Sequence, residues 1–425
     1  MKTLSNRTIL FIGALAFFMS LAFVVYQSQD VKQSASARAA TSTSERAIIT
    51  LENQFEKDPK NTKAALGLAQ AYLQKIRETG DISYYEKIVK ILDIAEANTS
   101  DNSEILATRA EVANGRHDFK TGLEYIKKAI DKNPDVTAFY GIETDSNIEL
   151  GNYEEALNSL QKMINKKPNF SSFSRVAYQR ELYGDREGAV EALTAAISAG
   201  STHPENVAWA YCEIGKLLVK ENPEKAKQDF KLALETFPNY APALEGLGRV
   251  AFGENKIDEA ETYYSQALAS LPLAQYATAL GNMYQTQGAQ AKADQQYVLA
   301  TLAYKNSKGV NTDLEYSLFL SDHGDSKEAL DRAQNAYAAR PSIYGADAYA
   351  WALFKNNRLP EAQKYITEAL RLGEHDSMIL FHAGMITEAA GDTGQAKTYF
   401  EKASKLDQYA STHYSKVLAD KITNP

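Results

Sequence analysis

Ala241 to Pro272 reads APALEGLGRVAFGENKIDEAETYYSQALASLP, and the placement of its small, aromatic and proline residues decides the fold. Apolar residues recur at helical spacing on both sides of the polar stretch GENKID, which predicts two amphipathic helices of about a dozen residues joined by a short turn. Gly248 in the first helix and Ala260 in the second are small enough to let the two backbones approach where the helices cross. Leu247 and Tyr264 fill the space beside that contact, and Pro272 stops the second helix and sets the turn that follows.

The same frame recurs along the chain. Leu280, Gly281, Tyr284, Ala293, Tyr297 and Ala300 repeat it directly downstream. Pro134 and Pro168 are one period apart, as are Pro204, Pro238 and Pro272 in succession. Alanine returns at the crossing position as Ala156, Ala189, Ala226, Ala260, Ala293, Ala329, Ala362 and Ala396. Extending the period of about 34 residues in both directions gives about ten units between Lys60 and Ala410. One unit cannot bury its own apolar face, so stacking supplies the stability. Four units depart from the pattern. The first carries the insertion RETGDISYY, the unit 137–168 has Thr144 in place of the usual glycine and hence a looser expected crossing, the unit 207–238 has a turn one residue short, and the unit 309–341 has Ser317 at the small position. STHYSKVLADKITNP at the end is expected to form a capping helix.

On these residues the chain resembles the tetratricopeptide repeat superfamily over roughly four fifths of its length. The resemblance implies an all-α, right-handed superhelical solenoid whose concave groove, lined mostly by the first helix of each unit, binds peptides or protein segments. It also places Tyr178, Trp209, Thr278, Asn282, Tyr344, Asp347, Trp351, Phe354, Phe381 and Met385 on the concave side. Aromatic groups there would offer a large contact area at low entropic cost. The competing reading assigns many of the 25 tyrosines to helix crossings, Tyr264, Tyr284 and Tyr297 among them. Lys216, Lys220 and Asn282 do not form the lysine and asparagine clamp that some members use to hold a partner's C-terminal carboxylate. The superfamily is too broad to imply a particular partner.

Composition excludes several other classes. A net charge of −8 over 425 residues argues against nucleic acid as a partner. Cys212 is the only cysteine, so an intramolecular disulfide, a thiolate zinc cluster and a CxxC redox pair are ruled out. The six histidines show no metal-ligand spacing, and His382, on an apolar stretch, reads as a structural histidine. Asp322 and His323 lack an accompanying nucleophile, and the following Gly324-Asp325 matches the turns at Gly151-Asn152 and Gly391-Asp392. No catalytic or metal residues, cofactor or small-molecule substrate are expected.

The first residues carry a separate signal. Lys2 and Arg7 precede an uncharged run from Thr8 to Tyr26, which as a helix spans about 28 Å, close to the hydrocarbon thickness of a bilayer. That length favours a retained transmembrane anchor over a cleaved signal, which would leave a secreted chain. The expected organisation is a cytoplasmic tip (1–7), an anchor (8–26), a flexible linker (27–46), the repeat array (47–410) and a cap with tail (411–425), the array lying outside the cytoplasm in the periplasmic or extracellular space. The function expected from all this is a non-enzymatic, membrane-anchored adaptor that holds partner proteins in envelope assembly or export. The alternatives are an enzyme subunit and a self-associating structural scaffold.

Overall fold

The computed structural model describes residues 43–99, 101–373, 375–406 and 413–423. The expected anchor at 8–26 lies outside them, as does the linker up to residue 42; residues 43–46 of that linker open the first helix. Among the described residues no helix is long and apolar enough to cross a membrane.

The described residues form 22 helices and no strand. A leading helix α1 (Thr43–Lys57) is followed by ten antiparallel pairs: α2 (Thr62–Thr79) with α3 (Tyr84–Asn98), α4 (Ser103–Gly115) with α5 (Phe119–Lys132), α6 (Thr137–Glu149) with α7 (Tyr153–Lys166), α8 (Phe170–Leu182) with α9 (Arg186–Ala199), α10 (Pro204–Leu218) with α11 (Pro223–Thr236), α12 (Ala241–Gly253) with α13 (Ile257–Ser270), α14 (Ala274–Thr286) with α15 (Gln290–Asn306), α16 (Asp313–His323) with α17 (Ser326–Ala339), α18 (Ile343–Lys355) with α19 (Leu359–Ala369), and α20 (Ser377–Ala389) with α21 (Thr393–Leu406). The last helix is α22 (His413–Thr423). Most even-numbered helices touch the next even-numbered helix and so form one layer, with the odd-numbered helices outside it.

Seven of the ten pairs share one turn. In the α12–α13 turn Asn255 adopts φ 59°, its N–H donates to Phe252 O at 3.0 Å, and the next N–H, of Lys256, donates to Ala251 O at 2.9 Å. This pairing satisfies carbonyls that the end of the helix would otherwise leave orphaned, and it requires a left-handed residue. His117, Gly151, Gly184, Gly288, Asn357 and Gly391 hold the same position, each with positive φ. The exceptions among the short turns correct an expectation. The α10–α11 unit is one residue short from its small residue to its aromatic, Gly215 to Phe230 against Gly248 to Tyr264, yet residues 219–222 lie between its helices; the two-residue turn is Gly324-Asp325, between α16 and α17, where φ of Gly324 is −142°. Pro204, grouped by spacing with the helix-ending prolines, instead opens α10, where a missing N–H costs nothing.

The crossings follow the sequence pattern closely. All eight repeated alanines are at most 1% exposed. A Cβ placed on Gly281 would stand 2.6 Å from the Tyr297 ring, so the glycine is what admits the aromatic. Tyr264, Tyr284 and Tyr297 are buried. Thr144 and Ser317 are completely buried too, and each turns its hydroxyl back to its own helix, to Tyr140 O at 2.7 Å and Leu314 O at 2.7 Å. A satisfied hydroxyl lets a polar residue take the glycine's place.

The solenoid winds tightly enough for its successive turns to touch. Tyr153 Oη accepts from the Ile343 N–H at 2.8 Å, across 190 residues of sequence. Asn311 N donates to Arg116 O at 2.9 Å, and His117 Nδ1 lies 2.8 Å from Asn311 O. Lys120 Nζ reaches Ala338 O at 2.7 Å, and Arg186 Nη1 reaches Leu406 O at 3.0 Å. At the centre of this seam Arg340, 7% exposed, bridges Glu149 at 2.6 Å and Glu315 at 3.1 Å, with its guanidinium 5.1 Å from the centre of the Phe119 ring.

Candidate functional site: an encircled cavity

Tight winding gives the inner layer a concave interior that stays open to solvent. A cavity of about 850 Å³ is lined by side chains from α8, α10, α12, α14, α16, α18 and α20 in succession, with additions from α13, α15 and α22. The imidazole of His375, just before α20, lies against Gly184, just after α8. Beginning and end of this ring of helices therefore meet, and one superhelical turn encircles the cavity.

Six of the ten expected groove residues line it: Tyr178, Trp209, Thr278, Asn282, Tyr344 and Asp347. Thr278 donates to its own Ala274 O at 2.9 Å, and Asn282 accepts from the Tyr297 hydroxyl at 2.9 Å, which positions its amide on the wall. The other four belong to the packing behind the wall. Trp351 and Phe381 are 3% and 4% exposed, in a cluster that also takes in Phe354 and Met385. The Trp351 ring stacks on Phe354 at 5.3 Å and on His382 at 4.1 Å, and its Nε1–H donates to Asp322 Oδ1 at 3.0 Å. Helical spacing cannot separate these two sets, because α18 and α20 are apolar nearly all round and bury almost every face.

Asp322 is an anchor between helices: besides Trp351 it accepts from the Tyr414 hydroxyl of α22, and Lys355 Nζ lies 3.5 Å away. The helix α22, expected to cap the end of the stack, packs on α21 and also reaches α14, so that Tyr414 becomes part of the cavity lining. His323 stacks on Tyr297 at 4.0 Å.

The cavity lining is acidic. Seven carboxylates and only two basic side chains, Lys216 and Arg249, line it. Lys216 pairs with Glu213 at 2.8 Å and Arg249 with Glu245, while Arg340 and Lys355 reach Glu315 and Asp322 from outside the lining. That leaves Glu181, Asp347 and Asp376 without a lysine or arginine within ion-pair distance. Burial, then the nearby Glu213 charge, push the Glu181 carboxyl up to about 7, against the opposing pull of Lys216. Asp376 is also raised, by burial first, although it caps α20 by accepting from Met378 N and Ile379 N. Burial likewise carries the Tyr178 phenol well above its ordinary range.

His382 is 1% exposed and its Nδ1 lies 2.9 Å from Asp347 Oδ1, while its Nε2 has no hydrogen-bond partner. An aspartate on a histidine's inner nitrogen is two thirds of a catalytic triad, but the third member requires a hydroxyl or thiol bonded to Nε2, and none is bonded there. Cys212 is fully buried and burial raises its thiol well above the usual range, the opposite of an activated nucleophile. Among the described residues no group of three or more histidine, cysteine, aspartate or glutamate side chains is placed to hold a metal ion.

Two family models, both described as tetratricopeptide repeat, match residues 217–283 and 348–411. No curated protein matches the chain. Among solved structures it is similar to a tetratricopeptide repeat protein from Parabacteroides merdae ATCC 43184, at 17% identity over 60% of this chain and 97% of that one with a TM-score of 0.35. Yeast Tom70 gives 15% identity over 95% and 99%, with a TM-score of 0.37. A human IFIT1 dimer with PPP-AAAA gives 16% over 86% and 87%, with a TM-score of 0.46. The described residues form an all-α solenoid, in which residues 217–283 and 348–411 match tetratricopeptide repeats.

Proposed function

We propose that this chain is a non-enzymatic adaptor, tethered to an envelope membrane by residues 8–26, that grips a segment of a partner protein inside the encircled cavity. The observation that carries the reading is the wall itself: seven successive inner helices line one space, and four of them present Tyr178, Trp209, Tyr276 and Tyr344 to it. Large, rigid aromatic surfaces in a desolvated pocket are where interfaces concentrate their binding energy. A preformed wall also avoids the cost of ordering the binding surface. Because the ring is closed by its own seam, the segment enters along the superhelix axis, which favours a short extended stretch over a whole helix laid across an open groove.

The test is a peptide-display selection on the purified chain, repeated on a folded Trp209→Ala, Tyr344→Ala double variant. Sequences enriched on the parent and lost on the variant support the adaptor reading, and equal enrichment on both removes the cavity as its site. The tether is tested on membranes carrying the full chain: extraction by alkaline carbonate would contradict it, and release only by detergent would support it. Lys2 and Arg7 ahead of the uncharged run favour the repeats lying on the far side of that membrane from the cytoplasm.

A further inference from the structure

We infer that the cavity selects a basic segment, seating a lysine or arginine side chain of the partner between the aromatic walls and the carboxylates Glu181, Asp347 and Asp376. This rests on the adaptor reading and adds the chemistry of the occupant.

Two independent features point to it. The first is the charge of the lining, where seven carboxylates face two cations. Glu181 has no hydrogen bond or ion pair to another side chain, although it projects from α8 into a space shared with Glu213 and with Asp376 from the next superhelical turn. Like charges held together raise one another's cost; Lys216, already paired with Glu213, offsets part of it, and a bound cation relieves the rest. The second feature is His382. Its Nδ1 lies against the Asp347 carboxylate, which accepts, so Nδ1 carries a proton, and in the uncharged form of the ring Nε2 is then an acceptor. That acceptor is buried without a donor, on a residue that lines the cavity. A buried acceptor lacking a partner is costly, and an N–H of an ammonium or guanidinium group supplies one.

The walls suit the rest of such a side chain. Tyr178 and Tyr344 line the cavity together with Glu181 and Asp347, and a cation over an aromatic face gains where water is excluded. The aliphatic stem of lysine or arginine packs on the same rings. A cavity of about 850 Å³ lies within the range of ligand-sized sites and holds a few residues of extended chain.

The experiment uses the full-length chain in a neutral detergent and fluorescence anisotropy. The probes are a labelled nonapeptide alternating lysine and alanine, its glutamate counterpart, and spermine as an unlabelled competitor. The lysine peptide is expected to bind saturably, to weaken with added salt, and to lose roughly tenfold in affinity with Glu181→Gln, the loss of one close charge contact. Glu181 makes no hydrogen bond or ion pair to another side chain, so this variant is expected to melt like the parent; Asp347→Asn is the second variant, scored only after its melting curve shows that it folds. Equal binding of the glutamate peptide overturns the inference, as does unchanged affinity in both folded variants. Spermine binding without any binding of the lysine peptide also overturns it, by making this a site for small cations. If display returns cavity-dependent peptides that carry no lysine or arginine, the inference falls and the adaptor reading stands; if display returns none, the adaptor reading falls with it.

Discussion

The turns that join paired helices and the seam where one superhelical turn meets the next are held by different kinds of contact. The turns are local and redundant. The same left-handed residue and the same pair of backbone hydrogen bonds appear seven times, with glycine, asparagine or histidine in the role. The seam is long-range and irregular: a tyrosine hydroxyl on a backbone N–H, lysine and arginine on helix-end carbonyls, and one buried arginine between two glutamates. No period relates these contacts, and each occurs once. Redundant local contacts tolerate the loss of a copy, whereas the seam concentrates its energy in a few side chains and decides whether the solenoid stays closed around its cavity.

The strongest way to break that contrast is Arg340→Ala. Removing the guanidinium leaves Glu149 and Glu315 facing each other at the seam, and loss of one partner from a buried ion group costs about 3–5 kcal/mol. The expected result is a large drop in the urea midpoint together with a larger radius of gyration by small-angle X-ray scattering, because the turns separate. Stability lost without expansion would mean that the seam does not hold the cavity shut. Adding Glu149→Gln and Glu315→Gln to an Arg340→Met background sharpens the point, since an uncharged seam should recover much of the loss.

A smaller effect is expected at a turn. Asn255→Ala places a side chain with no local hydrogen-bonding ability in the left-handed region, at a cost of about 1–2 kcal/mol, while Asn255→Gly should leave stability nearly unchanged. Neither should alter the radius of gyration. Expansion with Asn255→Ala would show that the local turns, and not the seam alone, set closure.

How much of this could be read beforehand differs between the two. The crossing alanines, the glycine opposite Tyr297 and the prolines after the second helices are set by contacts within about one period, so spacing finds them. The groove residues were only partly legible. Trp209 and Tyr344 reach the cavity, yet Trp351 and Phe381, on equally apolar helices, fill the packing behind it. Exposure on such a helix depends on what the next pair and α22 cover. His382 was legible as structural from its apolar surroundings, but Asp347 as its partner, with the outer nitrogen left bare, joins residues 35 apart on two different helices.

By itself the sequence determined the element type, the pairing of helices and their stacking, because these follow from apolar periodicity and small-residue spacing that each unit carries within itself. Only the tertiary structure decided the pitch of the superhelix, the seam across 190 residues and hence the encircling of a carboxylate-rich cavity. Pitch is the sum of small rotations from one pair to the next, and small differences in each crossing accumulate over a full turn. Whether Arg340 meets Glu149 depends on that sum, and no single repeat contains it.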